Sequence, residues 1–163
     1  MKTINLFILI LASTFMIACT SQNQPKSESE LAIANNVNKK VEAKDFRIRV
    51  DYANPMGGRT VPLTSEYDLV IKNDSAFAYL PYFGVAYSAP YGSTEGGIKF
   101  STLMEDYKSA LNKKGEWTID FKINIPNYNY IINISIFSNG KSSININSAQ
   151  RRAINFDGQM MLD

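Results

Sequence analysis

Trp117-Thr118-Ile119-Asp120-Phe121-Lys122-Ile123-Asn124-Ile125 is the stretch whose reading decides the fold. Trp117, Ile119, Phe121, Ile123 and Ile125 alternate with Thr118, Asp120, Lys122 and Asn124, the period of a strand with one buried face and one wet face. Pro126, which has no N–H to donate, stops the ladder. Residues 130–138 follow within hairpin distance, and Asn139-Gly140 leads into 141–148; Asn-Gly suits the positive φ angles of a type I′ turn. These three segments predict an antiparallel meander. Ile154, Phe156 and Met160 on one side, against Asn155, Asp157 and Gln159 on the other, add a last strand in which Gly158 marks a bulge.

The N-terminal half carries the same period. Phe46, Ile48, Val50 and Tyr52 share one face of a strand while Arg47, Arg49 and Asp51 take the other, and Asn54-Pro55-Met56-Gly57-Gly58 ends it. Residues 67–72 and 76–80 form a second hairpin around Asn73-Asp74. Leu103, Tyr107 and Leu111 are spaced by four, which fits a helix face and a strand face equally; strand is the reading for 101–114. Between Glu30 and Lys44, the spacing of Leu31, Ala34, Val37 and Val41 predicts a short amphipathic helix, although Asn35, Asn36 and Asn38 are poor helix formers. The fold class expected is therefore mainly β, an antiparallel sandwich or barrel-like meander of at least six strands with one short N-terminal helix.

Composition bounds the function. A chain of 163 residues, 45% apolar and 20% charged, has the arithmetic of one globular domain, placed here at 30–163. Seventeen basic against 15 acidic residues provide no steering field for nucleic acid, which is excluded as a partner. There is no histidine, so Ser-His-Asp and Cys-His nucleophiles and imidazole-ligated metals are excluded. With one cysteine and no Asp-x-Asp loop, neither a metal site nor a cofactor is expected.

The first 18 residues read as an address. Lys2 precedes an apolar run of about 13 residues, short of the roughly 20 needed to span a bilayer. Met16-Ile17-Ala18-Cys19 resembles the bacterial lipobox, in which the cysteine receives a diacylglyceryl thioether and becomes the mature N-terminus. The plain alternative is a free thiol after an ordinary secretory signal, but Cys19 has no disulfide partner and lipidation explains why one cysteine suffices. Residues 19–29 then form a polar tether from lipidated Cys19. Thr20, rather than an aspartate, follows the cysteine, which points to the outer membrane; the sparse acids beyond it point to the periplasmic face.

The least generic segment is Tyr79-Leu80-Pro81-Tyr82-Phe83-Gly84-Val85-Ala86-Tyr87-Ser88-Ala89-Pro90-Tyr91-Gly92, followed by Gly96-Gly97-Ile98-Lys99-Phe100. Its Tyr-Leu-Pro-Tyr-Phe-Gly core, Ser-Ala-Pro-Tyr stretch and Gly-Gly-Ile-x-Phe tail resemble the signature of the domain of unknown function 4251 family, small lipoproteins of Bacteroidetes. The likeness continues through Ser138-Asn139-Gly140 and residues 154–158, covering roughly 42–160. Val85 stands where an arginine is frequent in that family. The resemblance implies a secreted, lipid-anchored, β-rich domain and lends no catalytic or binding residue.

Two classes of function are compatible with these residues. In the first, a non-catalytic envelope module uses Tyr82, Tyr87 and Tyr91 as an aromatic surface for a glycan or an envelope protein, while Tyr79 and Phe83 pack into the core. In the second, a small hydrolase acting on envelope or dietary glycan draws an acid and a base from Asp68, Asp74, Glu105, Asp106, Asp120 and Asp157. No spacing selects a pair among these carboxylates, several of which fall on polar strand faces, so no catalytic residue is assigned.

Overall fold

The alternation around Trp117 is realised in β6 (Trp117–Ile125), where Trp117, Ile119, Phe121 and Ile123 are buried and Thr118, Asp120, Lys122 and Asn124 are exposed. The computed structural model describes residues 27–87 and 96–162; Cys19 and Tyr91 lie outside the described residues. Around β6 the chain forms β1 (Asp45–Pro55), β2 (Val61–Lys72), β3 (Ser75–Leu80), β4 (Ile98–Leu103), β5 (Glu105–Leu111), β7 (Tyr128–Ile136), β8 (Lys141–Ser148) and β9 (Ile154–Met160). One antiparallel sheet runs β4-β3-β2-β1-β9-β8-β7-β6-β5. Its two edge strands, β4 and β5, are separated in sequence only by Met104, so the sheet wraps round to bring its edges together. The result is a nearly closed barrel. The segment 101–114, which suited either period, is indeed extended, but it supplies two strands rather than one.

Eight of the nine strands send buried apolar side chains into the barrel interior, and β5 contributes the partly buried Tyr107. Phe121, Phe156, Ile48, Leu69, Ile71, Ile132, Ile134 and Ile136 are all under 2% exposed, so the inside is a packed core. Burying each such side chain contributes roughly 1.5–3 kcal/mol. The outer wall is polar and bonded to itself: Asn133 donates to Asp120 (2.6 Å), Asn145 to Asn155 and Asn147 to Asn145. Asn133 and Asn145 thus bond across neighbouring strands, and Asn147 bonds along β8 to Asn145.

Helix α1 (Glu28–Glu42) packs on this barrel through Val37 and Val41. It begins two residues earlier than the apolar spacing indicates, inside the stretch read as tether, because Ser27 and Glu30 form a capping box: Glu30 N–H donates to Ser27 Oγ (3.3 Å) and Ser27 N–H to Glu30 Oε2 (3.0 Å). Two of its asparagines compensate for poor propensity with long-range bonds. Asn38 Oδ1 accepts from Trp117 Nε1 at 2.9 Å, and Asn36 Nδ2 donates to the Leu162 carbonyl at 2.9 Å.

Two local expectations are corrected. The β7–β8 turn is not type I′: Gly140 has φ +80° but Asn139 does not have positive φ. Gly140 N–H donates to the Phe137 carbonyl (2.8 Å) and Phe137 N–H to the Lys141 carbonyl (2.8 Å), the three-residue loop in which a type I turn is followed by a left-handed glycine. The bulge near Gly158 belongs to the opposite strand. Val50 pairs with Gly158 and Tyr52 with Asp157, which leaves Asp51 as an extra residue in β1. Gly158 is the residue that lets this happen, since a Cβ there would collide with the Arg49 carbonyl. Past the bulge the alternation slips by one: Ala53 takes the inner position, fully buried, and Tyr52 turns outward beside Asp51.

Gly158→Ala is expected to destabilise the barrel by about 1–3 kcal/mol, because the added methyl meets backbone that cannot yield without breaking the β1–β9 ladder. Urea denaturation measures this. A midpoint equal to that of the parent would show that β1 accommodates the methyl without the bulge.

Candidate functional site

After β3 ends at Leu80 the chain crosses the mouth of the barrel, and one side chain sets its course. The Tyr82 hydroxyl lies 2.9 Å from the Val85 carbonyl and 2.9 Å from the Arg152 carbonyl, bridging the connection to the segment before β9. Ala86 forms an antiparallel bridge with Arg151, flanked by Tyr87 N–H to the Gln150 carbonyl (2.9 Å) and Arg152 N–H to the Val85 carbonyl (2.9 Å). This strip, residues 82–87 of the connection, is thus pinned to the segment before β9.

Arg151 anchors the same region from below and is 5% exposed. Its Nη1 donates to the carbonyls of Gly96 (3.1 Å) and Gly97 (2.9 Å), and its Nη2 to the Tyr128 hydroxyl (2.8 Å). The guanidinium lies 5.0 Å from the Tyr82 ring centroid and 4.4 Å from that of Tyr128. Tyr128 stacks on Tyr130 at 5.7 Å, and Tyr130 meets Phe100 in a tilted contact at 6.0 Å, which carries the cluster into the core. Among the described residues no carboxylate pairs with Arg151; ring faces and backbone dipoles hold its charge. Sequence reading missed this residue, because an arginine pair in a Ser-Ala-Gln context has no pattern that marks one member as buried.

The aromatic residues divide differently from the expectation. Tyr82, expected as a contact residue, is half-buried and structural, since its hydroxyl closes the connection. Tyr87 is exposed as expected, at 63%. Tyr91 falls outside the described residues. Tyr79 and Phe83, expected in the core, are exposed: Ala78 and Leu80 occupy the inward positions of β3, so Tyr79 faces out, stacked on Tyr67 at 5.5 Å with Lys99 Nζ 5.0 Å from its ring. The strip therefore presents Phe83, Val85 and Tyr87 to solvent.

The acids that a hydrolase would need are engaged separately along the barrel's outside. Asp68 pairs with Arg47 (2.7 Å), Asp74 with Lys44 (2.9 Å) and Asp106 with Lys122 (2.7 Å). Glu105 accepts from Asn124 (2.5 Å) and Asp157 from Asn54 (2.7 Å). The hydrogen bond from Lys122 holds the Asp106 carboxyl below its usual range, the reverse of what a general acid needs. Among the described residues no cluster of three acids or cysteines is placed to hold a metal ion, and no helix is long and apolar enough to cross a membrane.

Tyr82→Phe keeps the ring over Arg151 and removes the bridge, so it should cost about 1 kcal/mol and accelerate amide exchange at Tyr87 and Arg152. Unchanged exchange there would mean that the Ala86–Arg151 bridge suffices. The buried phenols also make stability depend on alkali. Burial pushes Tyr130 from 10.0 up to about 12, against the opposing pull of Arg151, and raises Tyr82 and Tyr107 as well. A raised phenol favours the folded state fully below pH 10, and that contribution is lost as pH climbs through 10 towards 12. Thermal midpoints measured across this window should fall, and Tyr130→Phe should shallow the fall.

Comparison with known proteins supports the same assignment of fold and adds a family. The family model "Domain of unknown function (DUF4251)" matches residues 28–160. Among solved structures, a DUF4251 family protein from Bacteroides eggerthii DSM 20697 superposes with a TM-score of 0.62 at 16% identity, covering 80% of this chain and 87% of that one. No match is found among curated proteins. A nine-stranded barrel with the helix before it, matched over nearly its whole described length, places this chain in the DUF4251 family.

Proposed function

We propose that this protein is a lipid-anchored, non-catalytic binding module of the cell envelope, tethered through Cys19 to the periplasmic face of the outer membrane. The observation that carries the reading is the exposed strip of Phe83, Val85 and Tyr87 on a backbone pinned by the Tyr82 hydroxyl and the Ala86–Arg151 bridge. Exposed apolar side chains on a rigid support lose little conformational entropy on docking, which favours a binding surface. Phe83 and Val85 carry no polar group for sugar hydroxyls, so an envelope protein suits the strip better than a glycan does. The carboxylates along the barrel, each held by its own partner, favour binding over hydrolysis.

The test joins anchor and strip. Cys19→Ala should move the protein from the membrane to the soluble fraction, and a variant that stays bound removes the anchor. Phe83→Ser/Tyr87→Ser in the lipidated chain should leave the unfolding free energy within about 0.5 kcal/mol of the parent, as surface changes do, while abolishing co-purification of cross-linked envelope proteins. Recovery identical to that of the parent, or turnover of a glycan by the purified protein, would replace this reading.

A further inference from the structure

We propose that the outer wall of the barrel at the β1 bulge is a saccharide-binding groove, separate from the strip at the barrel mouth. The depression measures about 440 Å³ and is lined by Asp51, Tyr52, Phe137, Lys141, Asp157 and Gln159 among others. That volume falls within the roughly 300–1,000 Å³ of small-molecule sites. The bulge makes the groove. On a regular strand one of two consecutive residues would point into the core, but the extra residue in β1 sends both Asp51 and Tyr52 outward.

Two rings, Tyr52 at 49% and Phe137 at 46% exposure, stand on a wall that is otherwise polar. An electron-rich ring face attracts the polarised C–H bonds on the flat side of a pyranose. Three polar side chains of the groove are already held in place. Asp51 Oδ1 accepts from Arg49 Nε at 3.1 Å, Asp157 Oδ2 from Asn54 Nδ2 at 2.7 Å, and Gln159 Nε2 donates to the Asn139 carbonyl at 2.9 Å. Asn54 is itself fixed by Thr60, whose hydroxyl donates to it at 2.7 Å. Each carboxylate uses one oxygen in these bonds and retains acceptor capacity on the other. Such prior ordering lowers the entropy lost when a ligand binds.

The charges choose among ligands. Two carboxylates repel phosphate and other anions, while Lys141 on the same wall opposes a polycation. An uncharged, hydroxyl-rich chain with apolar ring faces satisfies acceptors, donor and aromatic platforms together. The groove lies on the β1-β9-β8 wall and shares no residue with the strip at 83–87.

The experiment is calorimetric titration of the full lipidated chain, in a detergent free of sugar, with cellohexaose, xylohexaose and mannohexaose, and with spermidine as a cationic probe. Saturable binding of at least one hexasaccharide is expected, weakened roughly tenfold by Tyr52→Ala and by Asp157→Asn and unchanged in Phe83→Ser/Tyr87→Ser. Phe137→Ala, remote from the bulge backbone, gives the second ring variant if Tyr52→Ala unfolds. In the parent, sugar-induced amide shifts should centre on 51–52, 141 and 157–159. The proposal is overturned if none of the three sugars binds, if binding ignores Tyr52, Phe137 and Asp157, or if spermidine alone binds. Loss of sugar binding in the strip variant would also overturn it, by moving the site to the barrel mouth.

Discussion

Closing one sheet around a single row of inward side chains imposes the condition that everything else in this molecule obeys. A barrel of this kind has no second layer to pack against, so its own strands must fill it. Isoleucine and phenylalanine at alternate positions of β1, β6, β7, β8 and β9 do so, with exposures of 2% or less. An interior filled to that density is a core and holds no ligand. Recognition is thereby displaced to the two places the packing does not consume, the connections across the mouth and the outer wall. Helix α1 fits the same logic, since Val37 and Val41 bury against the barrel while Asn36 and Asn38 satisfy polar groups at its surface.

The β1 bulge shows how a single close approach can change what the outer wall presents. With no Cβ at Gly158, the Arg49 carbonyl can come in tight, β1 accommodates one residue more than β9, and the inner face passes from Val50 to Ala53. A large aromatic ring moves from the core to solvent in exchange for a small methyl. The bend is felt on the other side as well: between Val50 and Tyr52 the pairing with β2 jumps from Tyr67 to Pro62, so the two ladders that share β1 are distorted at the same point. One local irregularity therefore sets both the curvature of the wall and the chemistry it carries.

What the sequence makes legible follows from how local the controlling physics is. Period-2 alternation is decided by each residue's own strand, and β6, β8 and β9 carry the boundaries that their patterns indicate. The capping box at Ser27 was equally local and readable, a Ser-x-x-Glu that moves the helix start two residues earlier. Tyr52, Tyr79 and Phe83 went astray for non-local reasons. The face of Tyr52 depends on a glycine more than a hundred residues away. Tyr79 continues the alternation of β3 into a segment whose aromatic content suggested a core. Arg151 has no sequence signal at all, because its burial is created by rings from Tyr82 and Tyr128 and carbonyls from Gly96 and Gly97, which only the closed barrel brings together.

Arg151 also explains why the mouth of the barrel is ordered without a hydrophobic plug. A guanidinium stays charged when buried, and a carboxylate partner would satisfy it with one directional pair that orders a single neighbour. Carbonyls and ring faces solve the problem differently: two consecutive carbonyls ahead of β4, a hydroxyl from β7 and the ring of Tyr82 from the connection after β3 are all recruited by one cation. Four chain segments are gathered at one point, and none can leave without exposing buried positive charge to an apolar surround. The stiffness of the strip that bears Phe83, Val85 and Tyr87 is in that sense electrostatic in origin. The apolar residues can face solvent because the residue that organises them is a buried arginine and not another hydrophobic side chain.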